Sequence, residues 1–150
     1  MFNSFDMRMF NEAKKEAEKS DFDKFHFGAV ITYKNRIIGR GHNSDKTDTM
    51  QCRYNIYRHF NNFDGINYVK HSIHAEISAI KSIPYVTGKE VDFSKCSIYI
   101  YRICDGNENG FGNSMPCPAC RHALIDMGIT NIYYTSQYGY SYTKLSEGKL

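Results

Sequence analysis

The sequence predicts an α/β fold with a mixed sheet, and three observations carry that reading. Helix-period and strand-period segments alternate along the chain. An early pair of strand-like runs, Phe25 to Tyr33 and Arg36 to Gly41, is separated only by Lys34-Asn35, which predicts a hairpin. After Asn131 to Thr135, the stretch Ser136-Gln137-Tyr138-Gly139 leads directly into Tyr140 to Leu145. A crossover helix needs a dozen or more residues, so these last two strands must run antiparallel.

Taken in order, residues 4–19 read as an amphipathic helix with Phe5, Met9, Ala13 and Ala17 on its apolar face. Glu12, Lys14, Lys15, Glu16, Glu18 and Lys19 are expected on a solvated face. Asp21 to Lys24 is a polar break before the hairpin. His26 and His42 flank that hairpin, where a histidine is either structural, exposed or in contact with substrate. Ser72 is the expected N-cap of a helix whose apolar face is Ile73, Ile77 and Ile80. Ser97 to Arg102 alternates Ile98 and Ile100 with Tyr99 and Tyr101, as a central strand does. A Gly- and Asn-rich loop, Cys104 to Met115, follows and is expected at the lip of a pocket. In it Phe111 either covers a ligand or anchors the loop. Pro116 and Pro118 favour a helix entry, and Gly128 suits the C-cap that ends Arg121 to Met127. Tyr138, Tyr140 and Tyr142 alternate on one face, for packing or a subunit contact, with base stacking as the alternative.

Two short motifs carry chemistry. His74-Ala75-Glu76 is answered by Pro116-Cys117-Pro118-Ala119-Cys120. Two thiolates and one imidazole suit tetrahedral zinc. Three protein ligands, His74, Cys117 and Cys120, leave one position for a water that can lose its proton at about pH 7. Glu76 is then the candidate to handle that proton. Residues two apart do not face each other on a helix, so His74 and Glu76 can converge only at a helix start. Cys117 and Cys120, three apart, share a face. Two helix N-termini would point at one metal, and their dipoles would favour thiolates over thiols. Cys104 is the alternative fourth ligand, which would close the zinc shell and leave Glu76 without a purpose.

H-x-E followed by P-C-x-x-C resembles the signature of zinc-dependent nucleobase deaminases. The chain looks like a member of the cytidine and deoxycytidylate deaminase superfamily. His74 to Ile80 resembles the family's HAE-x-x-A-I helix, Phe27 to Ile31 its first strand, Gly41-His42-Asn43 the end of its second, and Gly128 to Tyr134 the strand after the cysteine helix. The resemblance implies a three-layer α/β/α sandwich on a five-stranded sheet, one Zn2+ per chain, and deamination of a cytosine nucleoside or nucleotide. It also implies that Glu76 moves the proton and that Asn43, Phe27, Ala75 and Pro116 contact the substrate, Asn43 at the sugar. An antiparallel ending resembles the free-nucleoside branch. A nucleic-acid deaminase, acting on cytosine in single-stranded DNA or adenine in RNA, is the alternative, and a zinc module used only for binding is a third reading. Residues 44–71 are an insertion relative to compact members. Cys52, His59 and His71 there could hold a second zinc, and Lys46, Arg53, Arg58, His59 and Lys70 could hold a 5′-phosphate.

Length and composition bound the rest. A chain of 150 residues is expected to form one domain, 1–150, with a real core. A net charge of +3 permits an anionic substrate or nucleic acid and demands neither. Cys52, Cys96 and Cys104 read as reduced structural thiols. With no apolar run resembling a signal peptide or membrane span, the expectation is a cytoplasmic enzyme of small molecules that forms homo-oligomers, as family members commonly do.

Overall fold

The computed structural model describes residues 2–58, 63–64, 67–68, 70–85, 89–104 and 110–146. Helix α1 (Ser4–Ala17) opens on a reciprocal cap, with Asn3 Oδ1 accepting from Asp6 N–H at 2.8 Å and Asp6 Oδ2 accepting from Asn3 N–H at 3.1 Å. Strands β1 (His26–Tyr33) and β2 (Arg36–His42) form the expected hairpin. Its turn residues Lys34 and Asn35 both take positive φ, 51° and 62°, as a two-residue connection requires. Residues 44–71 carry a helix α2 (Thr49–Tyr54), a 3₁₀ turn (Asn55–Arg58) and a two-residue ladder of β3 (Phe63–Asp64) with β4 (Asn67–Tyr68). Helix α3 (Ala75–Ser82), strand β5 (Ser97–Ile103), helix α4 (Pro118–Met127) and strands β6 (Asn131–Ser136) and β7 (Gly139–Lys144) follow.

The main sheet has five strands in the order β2-β1-β5-β6-β7. β5 is central, antiparallel to β1 and parallel to β6, and β7 returns antiparallel to β6. The sheet is therefore mixed, and the closing hairpin expected from the short linker is present. Strand alternation sorts side chains into two cores. Ala29, Ile31, Ile98, Ile100 and Ile132 face α3 and α4 with Ile77, Ala79, Ala123 and Leu124. Val30, Tyr99 and Tyr101 face α1 with Met9, Phe10 and Ala13. Three layers, α/β/α, result.

The face beneath α1 differs from its sequence pattern. Phe10 is fully buried and stacks on Tyr140 at 4.1 Å. Glu16, expected on the solvated face, is buried, and so is Asp6. Each has a partner brought from far along the chain: Tyr99 donates to Asp6, while Arg40 and His42 on β2, with Lys19, surround Glu16. Phe111 also lies on this face, stacked against Tyr140 at 5.2 Å and edge-on to Tyr101. It is a loop anchor. Tyr138 sits in the β6–β7 turn and is exposed, and of the tyrosine trio Tyr140, half-buried, packs against the core beneath α1.

Among the described residues no helix is long and apolar enough to cross a membrane. The five cysteines are free thiols. Close approach of helix to sheet depends on two glycines. A Cβ on Gly28 would overlap the backbone of Ala13 and Ala17 in α1, and one on Gly41 would overlap Ser78 and Ala79 in α3. Overpacking of that kind costs about 1–3 kcal/mol. Gly28→Ala is accordingly expected to lower the denaturation midpoint by that equivalent, and an unchanged midpoint would mean that α1 does not rest on β1 here.

Candidate metal and catalytic site

Two helix starts meet at one point. His74 occupies the N-cap of α3 and Cys117 the N-cap of α4, and neither side chain makes a capping hydrogen bond. Both are turned toward each other instead. His74 Nδ1 lies 3.5 Å from Cys117 Sγ and 3.4 Å from Cys120 Sγ. The three ligand atoms all lie within 4.8 Å of one another. A tetrahedral zinc with ordinary Zn–S and Zn–N bonds separates nitrogen from sulphur by about 3.6 Å, so this donor set fits zinc. Among the described residues this is the one such group, and Cys104 is outside it.

The expected cap, Ser72, is not where α3 begins. Ser72 pairs with Thr47 in an isolated antiparallel bridge, and Ile73 exchanges backbone hydrogen bonds with Ser44 and Lys46. The chain therefore stays extended through Ile73, and the helix starts at Ala75. That delay brings His74 to the helix mouth and Glu76 into its first turn. On the other motif, Pro118 opens α4 and Gly128 closes it at φ 96°. The chain before Cys117 is clamped by hydroxyls. Ser114 Oγ donates to Ile100 C=O at 2.9 Å and accepts from Thr135 N–H at 2.7 Å, while Thr135 Oγ1 donates to Gly112 C=O at 2.7 Å.

Electrostatics polarise the group. Arg58 Nη1 lies 3.2 Å from His74 Nε2. The other ring nitrogen, Nδ1, faces the two sulphurs. Cys117 has its pKa pulled down to about 3, first by the Cys120 thiol that donates to it, against burial, and then by the His74 ring. Cys120 goes the other way because it is buried beside that thiolate. Two thiols thus share one proton, and a metal cation is what would replace it. Burial pushes the Glu76 carboxyl up to about 7, with the neighbouring His74 opposing the rise.

A cavity of about 180 Å³ opens beside the group. His74, Ala75, Glu76 and Cys117 from the two helix starts line it together with Ile73, Met115, Phe22, Phe25, Phe27 and Asn43. Of the expected substrate contacts, Phe27, Asn43 and Ala75 line the cavity, whereas buried Pro116 is outside the lining. Asn43 is heavily engaged: its Oδ1 accepts from Ser20 Oγ at 2.6 Å and Phe27 N–H at 2.9 Å, and its Nδ2 donates to Phe25 C=O at 2.8 Å. At most one amide hydrogen remains for a ligand, so Asn43 also fixes the aromatic wall. Phe22 and Phe25 were not anticipated, since Phe22 sits within a polar break; three phenylalanines at 22, 25 and 27 were the available signal. None of Lys46, Arg53 and Lys70 lines the cavity; Lys70 pairs with Asp45 at 3.0 Å and Arg53 lies over Tyr54. His59 lies outside the described residues.

Residues 3–136 match the sequence family described as the cytidine and deoxycytidylate deaminase zinc-binding region, and the chain belongs to that family. No curated protein sequence matches it. Its fold is similar to that of dCMP deaminase from the cyanophage S-TIM5 in apo form, with a TM-score of 0.55, 17% identity, and coverage of 91% of this chain and 86% of that chain. The same phage enzyme is known in complex with dCMP and dUMP. Cytidine deaminase from Burkholderia pseudomallei gives a TM-score of 0.56 at 18% identity, covering 92% and 91%. Cytidine deaminase from Mycobacterium leprae gives 0.51 at 20% identity, covering 94% of each chain.

The polarised thiol pair has a direct readout. In metal-free protein at about pH 6, iodoacetamide should modify Cys117 ahead of the other thiols, because only a thiolate reacts. Cys96, pushed up to about 11 by burial, should stay unmodified. Peptide mapping by mass spectrometry checks this, and one equivalent of zinc should protect Cys117. Equal labelling of Cys117 and Cys96 would contradict the assignment.

Proposed function

We propose that the chain is a zinc-dependent hydrolase that removes the exocyclic amine of cytosine in a free nucleoside or nucleotide, yielding the uracil product and ammonia. The observation that carries this reading is a His/Cys/Cys donor set, of which His74 and Cys117 line a cavity, with a buried carboxyl in the adjoining helix turn. His74, Cys117 and Cys120 would hold one Zn2+, which supplies the Lewis acidity that makes water a nucleophile near neutral pH. Glu76 would accept the proton released from that water and deliver it to ring N3; once the water oxygen has bonded to C4, it would take the remaining hydroxyl proton and pass it to the amine, whose C4–N bond breaks as the C4 carbonyl forms. A carboxyl shifted to about 7 is suited to both directions at neutral pH. Phe27 and Ala75 bound the ring's space, and Asn43 offers its remaining N–H to the sugar. The aromatic walls and the antiparallel β6–β7 ending support a small substrate over a polynucleotide, which would need an open basic groove.

Glu76→Gln should keep its zinc and lose turnover by about 10²–10⁴-fold, the usual weight of general acid–base catalysis. Ammonia release from cytidine, deoxycytidine, their 5′-monophosphates and a short single-stranded oligonucleotide, with metal content measured in parallel, provides the check. Undiminished activity in the variant would defeat the mechanism. Turnover of the oligonucleotide alone would replace the small-molecule reading with the nucleic-acid one.

A further inference from the structure

The 44–71 insertion holds three polar side chains that the reaction does not use. Gln51, Asn55 and His71 are 0%, 1% and 3% exposed. Fully buried amides and imidazoles cost free energy unless each hydrogen bond is made, so their arrangement carries information. His74 N–H donates to Gln51 Oε1 at 2.9 Å, Gln51 Nε2 donates to Asn55 Oδ1 at 2.8 Å, and Asn55 Nδ2 meets His71 Nδ1 at 2.8 Å.

The direction of this chain is forced. A backbone N–H can only donate, which makes the oxygen of Gln51 the end facing His74. That leaves its NH₂ for Asn55, which must answer with oxygen, and the Asn55 NH₂ must then find an acceptor on His71. His71 Nδ1 is therefore unprotonated, and the rail runs one way from His74 to His71. It is anchored at both ends. Asp48 accepts from Gln51 N–H at 3.0 Å, donates its own N–H to His71 C=O at 3.1 Å, and takes the Lys81 ammonium from the far end of α3.

We infer that Gln51, Asn55 and His71 are positioning residues that fix the main chain at His74 and so set the direction from which its ring meets the metal. The inference rests on the zinc reading of the site. It gives the insertion a purpose distinct from a second metal or a phosphate clamp: His71 is spent on Asn55, and Cys52 belongs to no ligand group among the described residues. His74 needs such outside help because, as an N-cap residue whose ring is turned to the sulphurs, it has no intrahelical acceptor for its own N–H.

The test uses the full chain, with zinc affinity from chelator competition and the visible spectrum of the cobalt-substituted protein. Gln51→Met keeps the volume but removes the acceptor. It should weaken zinc by about 10–100-fold, the range seen when groups that orient metal ligands are lost, and should alter the cobalt bands. His71→Leu should do the same, whereas His71→Asn, whose oxygen replaces Nδ1 as acceptor, should restore near wild-type affinity; this pair stands even if Gln51→Met fails to fold. Tyr54→Phe, which removes a hydrogen bond from the insertion to Asp126 near the C-terminal end of α4, should change stability without moving zinc affinity or the spectrum. Wild-type zinc affinity in folded His71→Leu, or equal losses in His71→Asn and His71→Leu, would overturn the rail while leaving the zinc site intact. A wild-type chain that takes up no zinc would overturn the functional reading, and this inference with it.

Discussion

Two helices start at the same place and turn their first side chains toward each other. N-cap positions are normally filled by Ser, Thr, Asp or Asn, whose oxygen closes an open N–H. Here His74 and Cys117 fill them without capping, and their side chains point into the space between α3 and α4. The cost is offset from outside the helices: Gln51 takes the His74 N–H, and the positive ends of both helices favour sulphur and carboxyl charge. Much of the fold serves this meeting. Gly41 lets α3 lie close on the sheet, the Ser114–Thr135 hydroxyls hold the approach to Cys117, and the Thr47–Ser72 bridge delays α3 until His74 is in place.

The site is cut into the larger core rather than laid on the surface. Ala75, Ile77 and Cys120 belong to the same buried cluster as the central strand residues Ile98 and Ile100. That placement explains the shifted acidities, because a carboxyl or thiol set in apolar surroundings holds its proton more tightly. Glu76 and Cys120 both move upward for this reason, and Cys117, at the cavity edge with two donors beside it, moves down. Neighbouring groups thus differ widely in proton affinity, a common property of catalytic sites.

Much of this was legible from local pattern. The two hairpins, the helix ending at Gly128 and the central strand rest on short-range spacing, and each is where that spacing puts it, while His74, Cys117 and Cys120 come from two motifs that the fold brings together. What escaped depends on partners distant in sequence. Ser72 has the chemistry of a cap, but Thr47 across the insertion keeps it extended. Glu16 looks solvated until β2 supplies Arg40 and His42. Phe111 belongs to the α1 face because Tyr140, from the last strand, stacks on it. The Gln51–Asn55–His71 rail has no local signature, since nothing in the spacing of three polar residues says that they will be buried together.

Zinc X-ray absorption on the metal-loaded chain counts the ligand types that the two helix starts present. Two sulphurs at about 2.3 Å and two lighter atoms at about 2.0–2.1 Å are expected, one the His74 nitrogen and the other from outside the protein. A third sulphur would mean that Cys104 closes the shell and would remove the open position on which hydrolysis depends. A shell of oxygen and nitrogen alone would mean that the two helix starts do not hold the metal.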